Sequence, residues 1–116
     1  MARYRLSEPA KADIGVILRR SEELYGKQGR ILTAAMRRVA ADPQGHSTVD
    51  RAELDPGIRS FHIRHSRDES REAPVTNPVH VLFYRVIQPG VVQIVRVLHD
   101  RMEPRLHLVS RGQVED

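Results

Sequence analysis

The side chains able to do chemistry in this chain are six histidines and a large set of arginines, and their spacing argues for binding rather than turnover. His99-Asp100 has the form of a metal-binding dipeptide, yet no second ligand pair stands at a fixed spacing from it. Hydrogen bonding at a strand end is the commoner use of such a pair. His62, His65 and His80 could converge across a hairpin, but their spacing alone defines no geometry, so no metal and no cofactor is expected. The seven glycines are scattered singly, which leaves no loop to cradle a phosphate, and nothing positions a Ser-His-Asp triad. Arg59, Arg85 and Arg96 fall inside stretches that read as strands, where a charged group needs a partner or an exit to water. Cross-strand pairing or an exposed sheet face satisfies that need; so would a polar floor that receives acidic residues of a partner.

The stretch Val79 to Leu108 must position most of these groups. It reads as two strands, Val79 to Ile87 and Val91 to Leu98, joined by a Gln88-Pro89-Gly90 turn and followed by a basic, partly apolar tail from His99. Both runs are apolar at nearly every position except His80, Arg85, Gln93 and Arg96, which predicts interior strands covered on part of both faces. Upstream, Arg3-Tyr4-Arg5-Leu6 alternates as a short strand with Tyr4 and Leu6 inward. Ser7-Glu8-Pro9 then signals a helix start, and Ala10, Ile14, Ile17, Leu18, Ser21, Leu24 and Tyr25 fall on one side of a helix from about Glu8 to Tyr25. Gly26 is placed to end it in a left-handed cap, and Leu32, Ala35, Met36 and Val39 align on a second helix that Asp42-Pro43 stops. So short a connection predicts an antiparallel helical hairpin. Residues 44–57 read as an ordered surface connection, Ile58 to Ile63 as a strand, and Arg64 to Pro78 as a polar mobile loop. The expected fold is therefore α+β, in the order β-α-α-β-β-β, with the helical hairpin packed on a largely antiparallel four-stranded sheet.

At 116 residues, one domain spanning 1–116 is expected. An apolar fraction of 40% with 29% charged residues suits a globular chain, and five aromatic rings leave most of the core to aliphatic side chains. The absence of cysteine excludes disulfides and thiolate metal sites. No apolar run approaches the ~20 residues of a membrane helix, and the start Met-Ala-Arg-Tyr-Arg-Leu-Ser lacks a signal-peptide core, so a cytoplasmic location is expected. The net charge of +4 is carried almost entirely by arginine, with Lys11 and Lys27 the two lysines. Arginine's planar fork suits carboxylates and phosphates, although such usage also follows from an arginine-rich genome.

The phrases Tyr4-Arg5-Leu6-Ser7, Pro56-Gly57-Ile58-Arg59-Ser60, Val81-Leu82-Phe83-Tyr84-Arg85-Val86 and Ile94-Val95-Arg96-Val97-Leu98-His99-Asp100-Arg101-Met102, in this order, resemble the ParE branch of the RelE/ParE toxin superfamily. The resemblance covers nearly the whole chain outside 64–78, and Leu-His-x-Arg-Met is its most specific part. It implies the toxin of a type II toxin–antitoxin pair, held inactive in a hetero-oligomer by a small ParD-like antitoxin. ParE-type toxins are associated with inhibition of DNA gyrase, whereas RelE-type relatives cleave mRNA on the ribosome. A third possibility is a non-toxic relative that retains antitoxin binding alone, since the long loop departs from the family's short turn.

RNA cleavage needs basic groups on the scissile phosphate and a group that moves a proton from the ribose hydroxyl. The RelE-type strand arginine aligns with Val81, which can do neither, and the lysine-rich patch before that strand has no counterpart. The later arginine and the terminal tyrosine or histidine would fall near Arg101 and His107, the alternative catalytic residues under the ribonuclease reading. With half of that constellation missing, the resemblance favours a protein-binding inhibitor with no catalytic residue. Target contact is assigned to His99, Arg101, Met102, Arg105 and His107. Antitoxin contact is assigned to Leu24, Tyr25, Met36, Arg59, Arg85 and Arg96.

Overall fold

The computed structural model describes residues 2–20, 25–69 and 78–108, and for 25–28 and 67–69 the backbone alone. The elements run β1 (Arg3–Leu6), α1 (Glu8–Arg20), α2 (Tyr25–Ala41), β2 (Thr48–Asp50), β3 (Arg59–His62), a 3-10 helix (Ile63–Glu69), β4 (His80–Gln88), β5 (Val91–His99) and a short 3-10 helix (Pro104–Leu106). The strands form one sheet in the order β1-β5-β4-β3-β2, parallel between β1 and β5 and antiparallel elsewhere.

The α+β class and the strand and helix order expected from the sequence hold, with one strand more than the four expected. β2 lies inside the stretch read as a surface connection, and pairs Thr48 with Phe61 and Asp50 with Arg59. Three residues with Val49 exposed carry no alternation to detect, and a strand this short is a common way to end a sheet without offering a sticky edge. Ser47, at φ 74°, turns the chain into it.

Helix α1 starts where expected. The Ser7 hydroxyl accepts from the Ala10 N–H (3.1 Å), Glu8 stands in the first turn, and Ala10 and Ile17 are buried with Ile14 and Leu18 against the core. The second helix begins earlier than expected. Tyr25 belongs to α2, and Gly26 is helical rather than a left-handed cap. A glycine in the first turn costs at most ~1 kcal/mol of helix propensity, which a helix of 17 residues absorbs through its buried face. Of the expected stripe on α1, Ser21 and Leu24 lie outside the described residues. The expected loop 64–78 opens as a 3-10 helix, and its remainder, 70–77, likewise lies outside them.

The core is divided by the sheet. On the helix side, Ile31, Leu32, Ala35, Met36 and Val39 of α2 pack with Phe61, Leu82, Tyr84, Val92, Ile94 and Val97. On the other side, Ile58, Phe83, Leu98 and Leu108 form a smaller cluster with Leu54, Val81 and Val95 against it. Leu108 pins the tail to the sheet. Between β4 and β5, Pro89 and Gly90 make the turn, with φ fixed near −65° by proline and +77° at Gly90, a combination that suits a type II turn.

One irregularity in β5 matters for the site. Phe83 pairs with Arg96 but Tyr84 with Ile94, so Val95 is an extra residue. Ile94 and Val97 therefore both reach the helix-side core although they are three residues apart, which a regular strand forbids. No helix among the described residues is long and apolar enough to cross a membrane.

Candidate functional site

β1 covers the edge of β5 only as far as Ile94, where the chain turns off into α1. Beyond that point side chains of the departing chain take over from backbone pairing. The Ser7 hydroxyl donates to the Val95 carbonyl (2.7 Å), and the Val97 N–H donates to the Asp13 carboxylate (2.9 Å). Asp13 also accepts from Arg96 through Nε (2.7 Å) and Nη2 (2.8 Å), a two-point fork that fixes both groups. Arg96 donates further to the His107 carbonyl (3.0 Å), so one guanidinium ties α1, β5 and the tail together. Hydrogen bonding to the carboxylate raises the Arg96 pKa further, against the cost of its partial burial.

Where these elements separate they leave a cleft of about 310 Å³. α1 supplies Asp13, Val16, Ile17 and Arg20 to its wall, and β5 supplies Arg96, Val97, Leu98 and His99. His80 at the start of β4 and Met102 and His107 of the tail complete the lining. The extra residue at Val95 returns Val97 to the helix side three residues after Ile94.

Around the cleft lies a group of imidazoles. His80 and His99 are cross-strand partners with ring centroids 5.9 Å apart at 74°. His62 Nε2 bonds the Asp100 carboxylate at 2.9 Å while its Nδ1 accepts the Arg64 N–H, so the ring holds its proton on Nε2. His99 Nδ1 accepts the Arg101 N–H (3.1 Å) and lies 3.3 Å from the Asp100 carboxylate. The bond from His62 holds the Asp100 carboxyl below the usual carboxylate range. Among the described residues no three His, Cys, Asp or Glu side chains are placed to hold a metal ion.

His80 is the least comfortable of the group. Its Nδ1 is buried and has no hydrogen-bond partner among the described residues, and burial, followed by the neighbouring His99, pushes its pKa below the ordinary value of 6.5. The sign of the linkage is then set. Below about 6.5 the unfolded chain binds the proton more readily than the folded one, so stability falls as pH drops from that value toward the folded pKa. His80→Gln is expected to lose less stability than the parent between about pH 7 and about pH 5 in urea titrations, and equal losses would remove His80 as the cause.

Of the residues assigned to target contact, the cleft unites His99, Met102 and His107 and leaves out Arg101 and Arg105, which are exposed on the tail. Of those assigned to antitoxin contact, Met36 is 5% exposed and part of the core. Arg59 donates to the Pro43 carbonyl and the Thr48 hydroxyl, Arg85 pairs with Asp55 (3.0 Å), and Arg96 pairs with Asp13. Each strand arginine thus has its own internal partner. Leu24 and the Tyr25 side chain lie outside what the structure describes. Reading the sequence missed Asp13 and Asp55 as partners and Val16 and Arg20 as cleft residues. Asp13 stands 83 residues from Arg96, and no spacing rule reaches that far. Val81 packs in the apolar cluster on the face away from the helices, between His62 and Leu98.

A family described as the ParE toxin of the type II toxin–antitoxin system parDE matches residues 4–104. The chain is 34% identical over 114 residues to the toxin ParE1 of Caulobacter vibrioides, covering 93% of this chain and 99% of that one. It is 32% identical over 107 residues to the toxin ParE1 of Mycobacterium tuberculosis, covering 88% and 93% respectively.

Proposed function

The chain belongs to the ParE toxin family of type II toxin–antitoxin systems, and from that premise we propose that it acts in the cytoplasm by inhibiting DNA gyrase and is neutralised by a ParD-like antitoxin. The observation that carries the choice of target is Val81. At the strand position where RNA-cleaving relatives would present an arginine, this chain has a partly buried aliphatic side chain packed against an apolar cluster, with no charge to offer a phosphate and no proton to move. The two groups left to a ribonuclease reading are not brought together by the cleft, since His107 lines it and Arg101 does not. Inhibition then rests on surface complementarity to a protein, with no bond made or broken.

In this reading the whole chain is one toxin domain. The tail from His99 to Leu108 meets the target: Leu106 is 76% exposed and Met102 46%, with Arg101 and Arg105 beside them. Exposed apolar groups flanked by arginine are the composition that protein interfaces enrich. The antitoxin covers the α1–α2 side and the sheet, where an amphipathic helix and an extended segment would each find a surface. The antitoxin assignment keeps Leu24 and Tyr25, while the internal partners of Arg59, Arg85 and Arg96 make those three supports of the surface it covers.

Supercoiling by purified gyrase, measured with toxin alone and with toxin plus the product of the adjacent gene, tests this. Supercoiling should fall with toxin and recover with antitoxin. Unaffected gyrase together with codon-specific cleavage of ribosome-bound mRNA would overturn it, and loss of that cleavage in Arg101→Ala and His107→Ala would then mark the residues responsible.

A further inference from the structure

We propose that the outer face of α2, together with Arg3 at the start of β1, binds the phosphate backbone of duplex DNA without regard to its sequence. α2 carries Lys27, Arg30, Arg37 and Arg38 and no aspartate or glutamate along its 17 residues. Arg30 and Arg37 are exposed and stand seven residues apart, nearly in phase on the helix, with the small residues Thr33 and Ala34 between them. Arg37 then meets a second element. With Arg3 it lines a shallow hollow of about 420 Å³ whose other walls are Ala2, Tyr4, Ala40 and Ala41, so no acidic side chain faces the two arginines there.

Elsewhere in the fold arginines are matched. Arg51 pairs with Glu53, Arg85 with Asp55 and Arg96 with Asp13, and Arg59 donates to the Pro43 carbonyl and the Thr48 hydroxyl. Arg3, Arg30 and Arg37 make no hydrogen bond or ion pair among the described residues. An arginine-rich genome sets how many arginines a chain holds, but it does not sort the unmatched ones onto one helix face and the strand end beside it. Like charges gathered without an anion repel one another in the free protein, and a polyanion laid across them removes that cost.

The rest of the face decides which polyanion. An acidic protein partner would be anchored by large apolar groups, and the exposed ones among the described residues are Val16, Val49, Val86, Ile87, Met102 and Leu106, none of them on α2 or β1. A single strand wants rings to stack on, and the ring at the hollow, Tyr4, is half-buried against the core. Duplex DNA needs neither. It asks for cations on a shallow surface with small side chains between them, and the ~10 Å from Arg30 to Arg37 along the helix axis covers about three base steps. The hollow also leaves the tail free, because Arg3 pairs with Val91 at the start of β5 whereas the tail leaves from His99 at its far end. DNA and a protein target can therefore be held together.

The test is fluorescence anisotropy of the full chain, without antitoxin or gyrase, on a short DNA duplex of arbitrary sequence, one of its single strands, a duplex RNA and polyglutamate. It is independent of the gyrase reading, which can fail while this stands. The DNA duplex is expected to bind with a dissociation constant of roughly 1–100 μM near physiological salt, the range of non-specific contacts. Three neutralised phosphates give a slope of about −2.7 in log K against log salt, so a rise from about 50 to about 200 mM weakens binding about 40-fold. Arg3→Gln, Arg30→Gln and Arg37→Gln, all exposed changes, should each reduce that slope by about 0.9, and the three together should abolish binding. Arg19→Gln, the same change of charge at an exposed position of α1, should leave the slope as it is. No duplex binding at about 50 mM salt, a loss in Arg19→Gln equal to that in Arg37→Gln, or tighter binding of the single strand, the RNA or polyglutamate would each overturn the proposal.

Discussion

Asp13→Asn is expected to destabilise the fold by about 2–3 kcal/mol, a large share of the 5–15 kcal/mol that holds a domain of this kind together. The carboxylate accepts three hydrogen bonds, from Arg96 Nε, Arg96 Nη2 and the Val97 N–H. Its side chain is 14% exposed and that of Arg96 22%. The asparagine keeps one acceptor oxygen, turns an amide donor toward the guanidinium, and leaves a half-buried cation without its counter-charge. Most of the cost is that unmatched charge and little of it is the net worth of the pair, because forming the pair also required both groups to leave water. A double change separates the two contributions. Arg96→Met combined with Asp13→Leu should recover a substantial part of the loss, since an apolar pair needs no counter-charge. Urea unfolding of the four proteins reads this directly. A loss below about 0.5 kcal/mol in Asp13→Asn would show that solvent reaches Arg96 well enough to replace the carboxylate.

Phe61→Ala is expected to cost about 3–5 kcal/mol, as large apolar truncations in a packed core do. Phe61 is 1% exposed on β3 and packs where α2 meets the 3-10 helix. Its ring lies 5.7 Å from that of His65 in the 3-10 helix and 5.4 Å under the Arg38 guanidinium of α2, and Arg38 in turn donates to the His65 carbonyl at 2.8 Å. Truncation removes apolar volume from the helix-side core and the surface on which the 3-10 helix rests. Two readouts are needed. Global stability in urea should fall by the stated amount, and hydrogen exchange in 63–66 should accelerate beyond what that global loss explains. Phe61→Leu, which keeps most of the volume and loses the ring, should show the second effect with a smaller first one. A loss below about 1.5 kcal/mol for the alanine variant would mean that the site collapses around the smaller side chain.

These two residues mark different kinds of legibility. Phe61 is readable in advance. It sits in an alternating run with Ile63, and the alternation alone puts it on an inner face. Asp13 is not, because on the helix it is one charged residue among several off the apolar stripe, with nothing to separate it from Glu8 or Arg19. The same contrast runs through the rest of the site. Leu-His-x-Arg-Met suggested the tail as a functional region, and His99, Met102 and His107 do meet in one cleft. The same phrase carried Arg101, which the fold leaves on the surface. A motif preserves the order of residues along the chain, but the direction in which each side chain leaves a tail that is neither helix nor strand follows no period.

The sequence by itself determined the elements and their order, the caps at Ser7 and Asp42-Pro43, the β4–β5 hairpin through Pro89-Gly90, the ParE resemblance and the missing charge at Val81. Each of these rests on interactions among near neighbours or on side-chain type, which the order of residues specifies directly. The tertiary structure alone decided the fifth strand, the extra residue at Val95, the Asp13–Arg96 fork, the edge-to-face pair of His80 and His99, and which tail residues share a cleft with Arg20. The fork and the cleft depend on where β1 stops covering β5. That point is set by how two helices, two apolar clusters and a twisted sheet pack at once, over separations as long as 83 residues, and no local pattern in the chain contains it.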